Sequence, residues 1–299
     1  MTATPNVWFH RKGELARDGW ESVVDEAIDG WQYTGIRVAQ LDGNALELPA
    51  QPVERIVVPL DGSFEVTFTA PGQPEATQAL AGRANVFSGP TDVLYLPTGT
   101  ALAVTGTGRV ALAQAPTDET KPARYIPAAE VPVEMRGAGT CSRQVQNFGT
   151  PATLDASRLI VCEVITPAEN WSSYPPHKHD EHIPGHESQL EEIYYFEMAP
   201  SKNVDAPANA DAFGYMRTYS TEAGDIDTLA EVRSGDIALV PFGWHGPCVA
   251  GPGYDMYYLN VMAGPDPERV WLISDDPAHA WIRNTWESQS VDSRLPYQA

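Results

Sequence analysis

Apolar and polar residues along this chain alternate in short runs rather than recurring every three or four positions. The segment Glu54-Arg-Ile-Val-Val-Pro-Leu-Asp-Gly-Ser-Phe-Glu-Val-Thr-Phe68 reads as a strand, an Asp-Gly turn and a second alternating strand. Further strand-like runs fall at 101–104 and 110–114, then at 158–165, 192–198, 213–219, 236–240 and 254–262. Residues 1–50 read as an entry arm, with 30–37 leading into the first strands, and 71–74 and 200–210 read as loops. Long amphipathic helical patterns are scarce, and 24 glycines and 26 prolines supply turns, so the pattern predicts an all-β protein. Residues 116–135 carry Pro116, Pro122, Pro127 and Pro132 without a clear period and read as a linker. The predicted organisation is therefore an N-terminal unit over residues 1–120 and a C-terminal unit over 136–299.

Composition narrows the partners. A net charge of −21 argues against recognition of nucleic acid through its phosphates and against an anionic membrane surface; an anionic small molecule would need a local cationic pocket. Cys141, Cys162 and Cys248 are odd in number and widely spaced, which predicts buried thiols in a reducing compartment. The N-terminus lacks a basic start and an apolar run, and no apolar stretch is long enough to span a bilayer, so the expected location is the cytoplasm. The tail from Asp266 carries Trp271, Trp281 and Trp286, a surface expected to pack on a barrel or on a partner subunit of a homo-oligomer.

Chemistry concentrates in Trp171-Ser-Ser-Tyr-Pro-Pro-His177-Lys-His179-Asp-Glu-His182-Ile-Pro-Gly-His186-Glu187 and the following Leu190-Glu-Glu-Ile-Tyr-Tyr-Phe196. On a strand, residues two apart face the same side, so His177 and His179 can aim at one point while Lys178 faces away. Imidazole with a nearby carboxylate suits a borderline divalent metal. An internal repeat adds a third histidine. Asp92-Val-Leu-Tyr-Leu-Pro97-Thr-Gly99-Thr-Ala101 matches Asp236-Ile-Ala-Leu-Val-Pro241-Phe-Gly243-Trp-His245 in spacing, and Glu191-Glu192-Ile193 corresponds to Glu54-Arg55-Ile56. The second copy thus delivers His245 where the first has Ala101.

The His-x-His pair, the downstream glutamate and the Gly235-to-His245 segment resemble the two motifs of the cupin superfamily. The first-motif glutamate is displaced by an insertion between 180 and 191, and one residue rather than two separates Gly243 from His245. With those departures, Asn170 to Glu181, Leu190 to Phe196 and Tyr254-Asp-Met-Tyr-Tyr-Leu-Asn-Val-Met-Ala-Gly-Pro265 resemble the 5-deoxy-glucuronate isomerase family of inositol catabolism, related to the uronate isomerases. The resemblance covers nearly the whole chain and is most specific over residues 136–286. It implies two cupin-type jelly-roll barrels, the first degenerate, and a divalent metal (Zn, Mn or Fe) on His177, His179, Glu192 and His245. Glu192 is preferred to Glu191, which alternation turns to the opposite face, and to Glu187, which the insertion leaves unplaced. His182 and His186 are expected in an exposed loop.

The reaction implied is interconversion of 5-deoxy-D-glucuronate and 5-dehydro-2-deoxy-D-gluconate, an aldose–ketose isomerisation of a small sugar acid. It requires a proton carrier, for which Tyr194, Tyr258 and Glu187 are the candidates, and a cation for the substrate carboxylate, for which Arg217 comes first and Arg143 second. Two other functions use the same outline: an Fe(II) cupin dioxygenase with the same ligands, and a non-catalytic sugar-binding protein. An intact ligand set in one half speaks against the latter.

Overall fold

The structure, a computed structural model, describes residues 7–202 and 204–298. One nine-stranded antiparallel sheet forms the N-terminal barrel. Its path runs Arg124–Ile126, Val93–Leu96, Val53–Pro59, Ala101–Pro116, Gly35–Asp42 and Ser22–Val24, with Leu46–Leu48 and the hairpin Gly62–Thr69/Ala76–Arg83 joined through the long strand Ala101–Pro116. That strand pairs with Gly62–Thr69 along its first half and with Val53–Pro59 along its second, which curls the sheet on itself. Gly106 and Gly108 make the bend: both take positive φ, and a Cβ on either would lie 2.3 Å from a carbonyl oxygen of the turn at Asp61–Ser63. Val57, Phe64, Val66, Leu94 and Leu112 fill the interior.

The C-terminal barrel is a sandwich of two sheets. The seven-stranded one runs Phe9–His10, Ile237–Val240, Glu191–Pro200, Tyr254–Ala263, Ile160–Thr166, Arg143–Gly149 and Val133–Arg136. The six-stranded one runs Gly224–Val232, Gly214–Thr221, Trp244–Ala250, His177–Lys178 and Ser274–Asp275, with Trp171–Ser172 on Trp244–Ala250. Alternation sorts the seven-stranded sheet cleanly. Tyr194, Phe196 and Met198, like Met256, Tyr258 and Met262, face the barrel interior. Ile193, Tyr195, Tyr257, Leu259 and Val261 face the other way and pack against Ile36, Ile56, Val58 and Ala113 of the N-terminal barrel. These strands therefore read as near-continuous apolar runs because both of their faces are covered.

Two stretches differ from the expected division. Phe9–His10 belongs to the C-terminal sheet, paired with Ile237 and Ala238, and not to the first 120 residues' own barrel. The proline-rich stretch 116–135 is no bare linker: Arg124–Ile126 extends the N-terminal sheet beside Val93–Leu96, and Val133–Arg136 starts the C-terminal one. Both are short outer strands, where proline at the ends removes no ladder bond. The three cysteines are buried free thiols. Among the described residues no helix is long and apolar enough to cross a membrane.

Candidate metal centre

Three histidines converge inside the C-terminal barrel. His177 is the Cα partner of His245 across antiparallel strands, and His179 follows two residues on, facing the same side. One ring nitrogen from each lies within 4.8 Å of the others. Each Nδ1 is directed at a backbone carbonyl: that of Pro175 for His177 (3.4 Å), Leu190 for His179 (3.0 Å) and Gly243 for His245 (3.0 Å). A carbonyl accepts only from N–H, so a ring that donates through Nδ1 is free to offer its Nε2 lone pair, the tautomer a metal ligand needs. Glu192 completes the set. Its Oε2 stands 3.0 Å from His179 Nε2 and 3.1 Å from His245 Nε2, and the latter atom is buried without a hydrogen bond.

Burial and mutual contact set the electrostatics of the cluster. Burial, followed by the charges of His245 and His179, depresses His177 well below the ordinary histidine range, so its ring is neutral. Burial alone would raise Glu192, but the contacts from His179 and His245 together outweigh it and hold the carboxyl at about 2. For His179 burial works downward, but the contact with Glu192 outweighs it and raises the ring above its ordinary value. Three imidazoles and one carboxylate, with an orphaned buried nitrogen among them, are the donor set of a borderline divalent cation.

The family model described as KduI/IolB matches residues 8–282. The chain belongs to the KduI/IolB family. Over 257 residues it is 40% identical to the 5-deoxy-glucuronate isomerase of Geobacillus thermodenitrificans, covering 85% of this chain and 87% of that one. With the protein of the same name from Lacticaseibacillus casei it shares 35% over 283 residues, 93% and 98% of the two chains. The solved structure of an IolB-like protein from Salmonella typhimurium superposes with a TM-score of 0.78 at 34% identity, over 89% of this chain and 96% of that one. An oxalate decarboxylase from Lactobacillus farciminis gives a TM-score of 0.58 at 9% identity over 85% and 82%, a likeness of fold alone: two cupin barrels in one chain.

In this KduI/IolB chain the remaining candidates separate. Tyr194 and Tyr258 face the barrel interior beside the centre, with ring centroids 5.1 Å apart and both phenols on the hydroxyl of Ser173 (3.2 and 3.1 Å). Burial raises both phenols above their ordinary range, so they hold their protons at neutral pH. Glu187 is not beside the histidines. Its Oε1 accepts from Lys178 Nζ (2.9 Å) and from the backbone N–H of Asp180 (3.0 Å) and Glu181 (3.1 Å), on the face of the strand that Lys178 occupies. It fixes the 180–191 insertion rather than reaching the centre. Lys178 does face away, as alternation requires, yet it is buried in an ionic cluster with Asp180 and Glu187.

Arg217 is also displaced. Gly214, Met216 and Thr218 point inward, so Arg217 points outward, where it pairs with Asp227 and lies over the Tyr219 ring. Arg143 points inward and is buried. His182 is half-exposed and paired with Asp266 (2.9 Å). The sequence reading passed over Ser173, which sits in a stretch read only for its histidines. It also passed over Asp180, whose carboxylate accepts from Gly243 N–H (2.9 Å) behind His245. Parity would have excluded Arg217; nothing local marks Ser173 or Asp180.

Proposed function

We propose that this chain interconverts 5-deoxy-D-glucuronate and 5-dehydro-2-deoxy-D-gluconate in inositol catabolism, with His177, His179, Glu192 and His245 holding one divalent cation. The observation that carries it is the convergence of three Nδ1-anchored imidazoles and a low-pKa carboxylate in a chain of the KduI/IolB family. When bound, a divalent ion such as Zn, Mn or Fe supplies Lewis acidity towards the substrate oxygens. The chain's own residues do the rest. His177, His179 and His245, pinned through Nδ1, keep the reacting end of the sugar in one orientation. Tyr194 and Tyr258 hold protons at their phenol oxygens and share the Ser173 hydroxyl, which suits them to donate to a substrate oxygen as charge develops on it. Apolar neighbours of that chain, Phe196, Met216 and Met262, keep bulk water out.

An aldose–ketose isomerisation moves two protons and no electrons between substrate and solvent, so it consumes no oxidant. The test is turnover of 5-deoxy-D-glucuronate by purified, metal-loaded protein under anaerobic conditions. Full activity is expected; dioxygen uptake in step with substrate loss would overturn the reading in favour of an Fe(II) dioxygenase.

A further inference from the structure

The first hairpin of the C-terminal barrel holds two guanidinium groups against one another. Val133–Arg136 and Arg143–Gly149 are antiparallel, with Arg136 the Cα partner of Arg143 and Glu134 the partner of Val145. Val145 belongs to the interior cluster, so alternation places Arg143, Glu134 and Arg136 on that same inward face. Like charges directly opposite on a sheet are unfavourable, and here compensation is incomplete. Arg136 Nε has Glu134 at 2.9 Å. Arg143, buried, has only neutral acceptors among the described residues, the carbonyls of Cys141 (3.1 Å) and Tyr174 (3.5 Å).

The hairpin is shaped around this charge. Gly137 takes φ +71°, and a Cβ there would lie 2.2 Å from the Cys141 carbonyl and 2.8 Å from Arg143 Nη1. Aromatic rings back both arginines: Trp271 under Arg136 (5.2 Å) and Trp286 under Arg143 (5.7 Å). Trp271 packs on the same interior cluster as Tyr194 and Met262, and its indole N–H is buried without an acceptor. Arg283, over the other side chain of this group, Trp286, is already neutralised by Asp275 (2.7 Å). Both Arg136 and Glu192 act electrostatically on the buried Cys162 thiol, and Arg143 acts on the Tyr258 phenol, which ties the pair to the interior that holds the metal ligands.

A protein of net charge −21 that buries Arg143 without a carboxylate partner, directly opposite a second guanidinium and beside its candidate centre, is built to receive an anion there. We propose that Arg136 and Arg143 together seat the carboxylate of the sugar acid, with the Trp271 N–H as a further donor. The proposal rests on the isomerase reading for the rest of the substrate, and it replaces Arg217 by Arg136. One carboxylate oxygen to each guanidinium satisfies both cations and fixes the far end of the sugar, leaving its carbonyl end to the histidine centre.

Three proteins test it: wild type, Arg136→Gln at the half-exposed position, and Arg143→Lys, which keeps the charge but not the fork. Each is assayed on 5-deoxy-D-glucuronate and on the neutral sugar with CH2OH in place of the carboxylate, alongside metal content and thermal unfolding. Each variant is expected to raise KM for the uronate by about 10- to 100-fold, with kcat within a few-fold, metal content unchanged and the neutral sugar unaffected. Unchanged uronate KM in both variants, or an equal loss on the neutral sugar, overturns the clamp. If wild type fails to turn over the deoxyuronate, the isomerase reading falls, and calorimetric titration with D-glucuronate decides the clamp alone. Weaker binding in Arg136→Gln upholds it, and equal or absent binding in wild type overturns it.

Discussion

Behind His245 runs a chain of contacts that sets where its lone pair points. Asp180 Oδ2 accepts from Gly243 N–H (2.9 Å) and Thr221 Oγ1 (2.6 Å), and the Gly243 carbonyl accepts from His245 Nδ1 (3.0 Å). The Asp180 carboxylate therefore holds Gly243 by its N–H, and the carbonyl of the same residue holds the ligand. Asp180→Ala should lower metal affinity by about 10- to 100-fold with the fold intact, measured by competition against a chelator; unchanged affinity would show that Gly243 is held by the turn alone. Lys178, two residues before Asp180, makes the opposite prediction. Its ammonium is shared by Asp180 (2.7 Å) and Glu187 (2.9 Å), both buried. Lys178→Met should cost about 2 kcal/mol in a denaturant titration, since it strands two carboxylates, while the folded protein still takes up its ion. His179→Ala should lose the ion outright.

Strands explain which of these roles could be read in advance. Glu191 and Glu192 are neighbours of identical chemistry, and only period-two alternation separates them. Glu192 turns inward to the histidines, whereas Glu191 turns out to the N-terminal barrel and accepts backbone N–H from Gln32 (2.9 Å), Tyr33 (2.7 Å) and Thr34 (3.3 Å). Glu54, its counterpart in the repeat, does the reverse: it accepts from Ser157 (2.8 Å), Arg158 (2.6 Å) and Leu159 (2.7 Å) in the C-terminal half. The pattern of the sequence carries parity and the repeat, but not these partners, which lie more than a hundred residues away. Parity also fails wherever a segment is too short or too proline-rich to show it, as in 116–135. Glu191→Ala should destabilise the protein by about 2–3 kcal/mol, by leaving buried N–H groups without an acceptor, and should not alter metal affinity. Glu192→Ala should abolish metal binding. Loss of metal in both variants would mean that the two glutamates are not separated by face.

At the scale of the whole molecule, two barrels of one design share an apolar seam, closed by the buried pair Arg83–Glu163, whose members come from different barrels and which Tyr257 joins at 2.6 Å. Among the described residues only the C-terminal barrel brings three histidines together. Arg55 stands at the position of Glu192, fully buried, with the Thr100 carbonyl at 3.2 Å and the Gln51 side chain as acceptors. Burial, and after it the charge of Arg37, lowers that guanidinium to about 10, which leaves it cationic at neutral pH. A fixed organic cation thus occupies the place where the other barrel collects ligands, Ala101 stands where His245 would, and no histidine occurs between residues 10 and 177. The N-terminal barrel lacks this ligand set. Metal analysis of purified protein should therefore give one ion per chain, falling to none in His245→Ala. Two ions per chain, or one that survives His245→Ala, would place the metal elsewhere and undo the assignment.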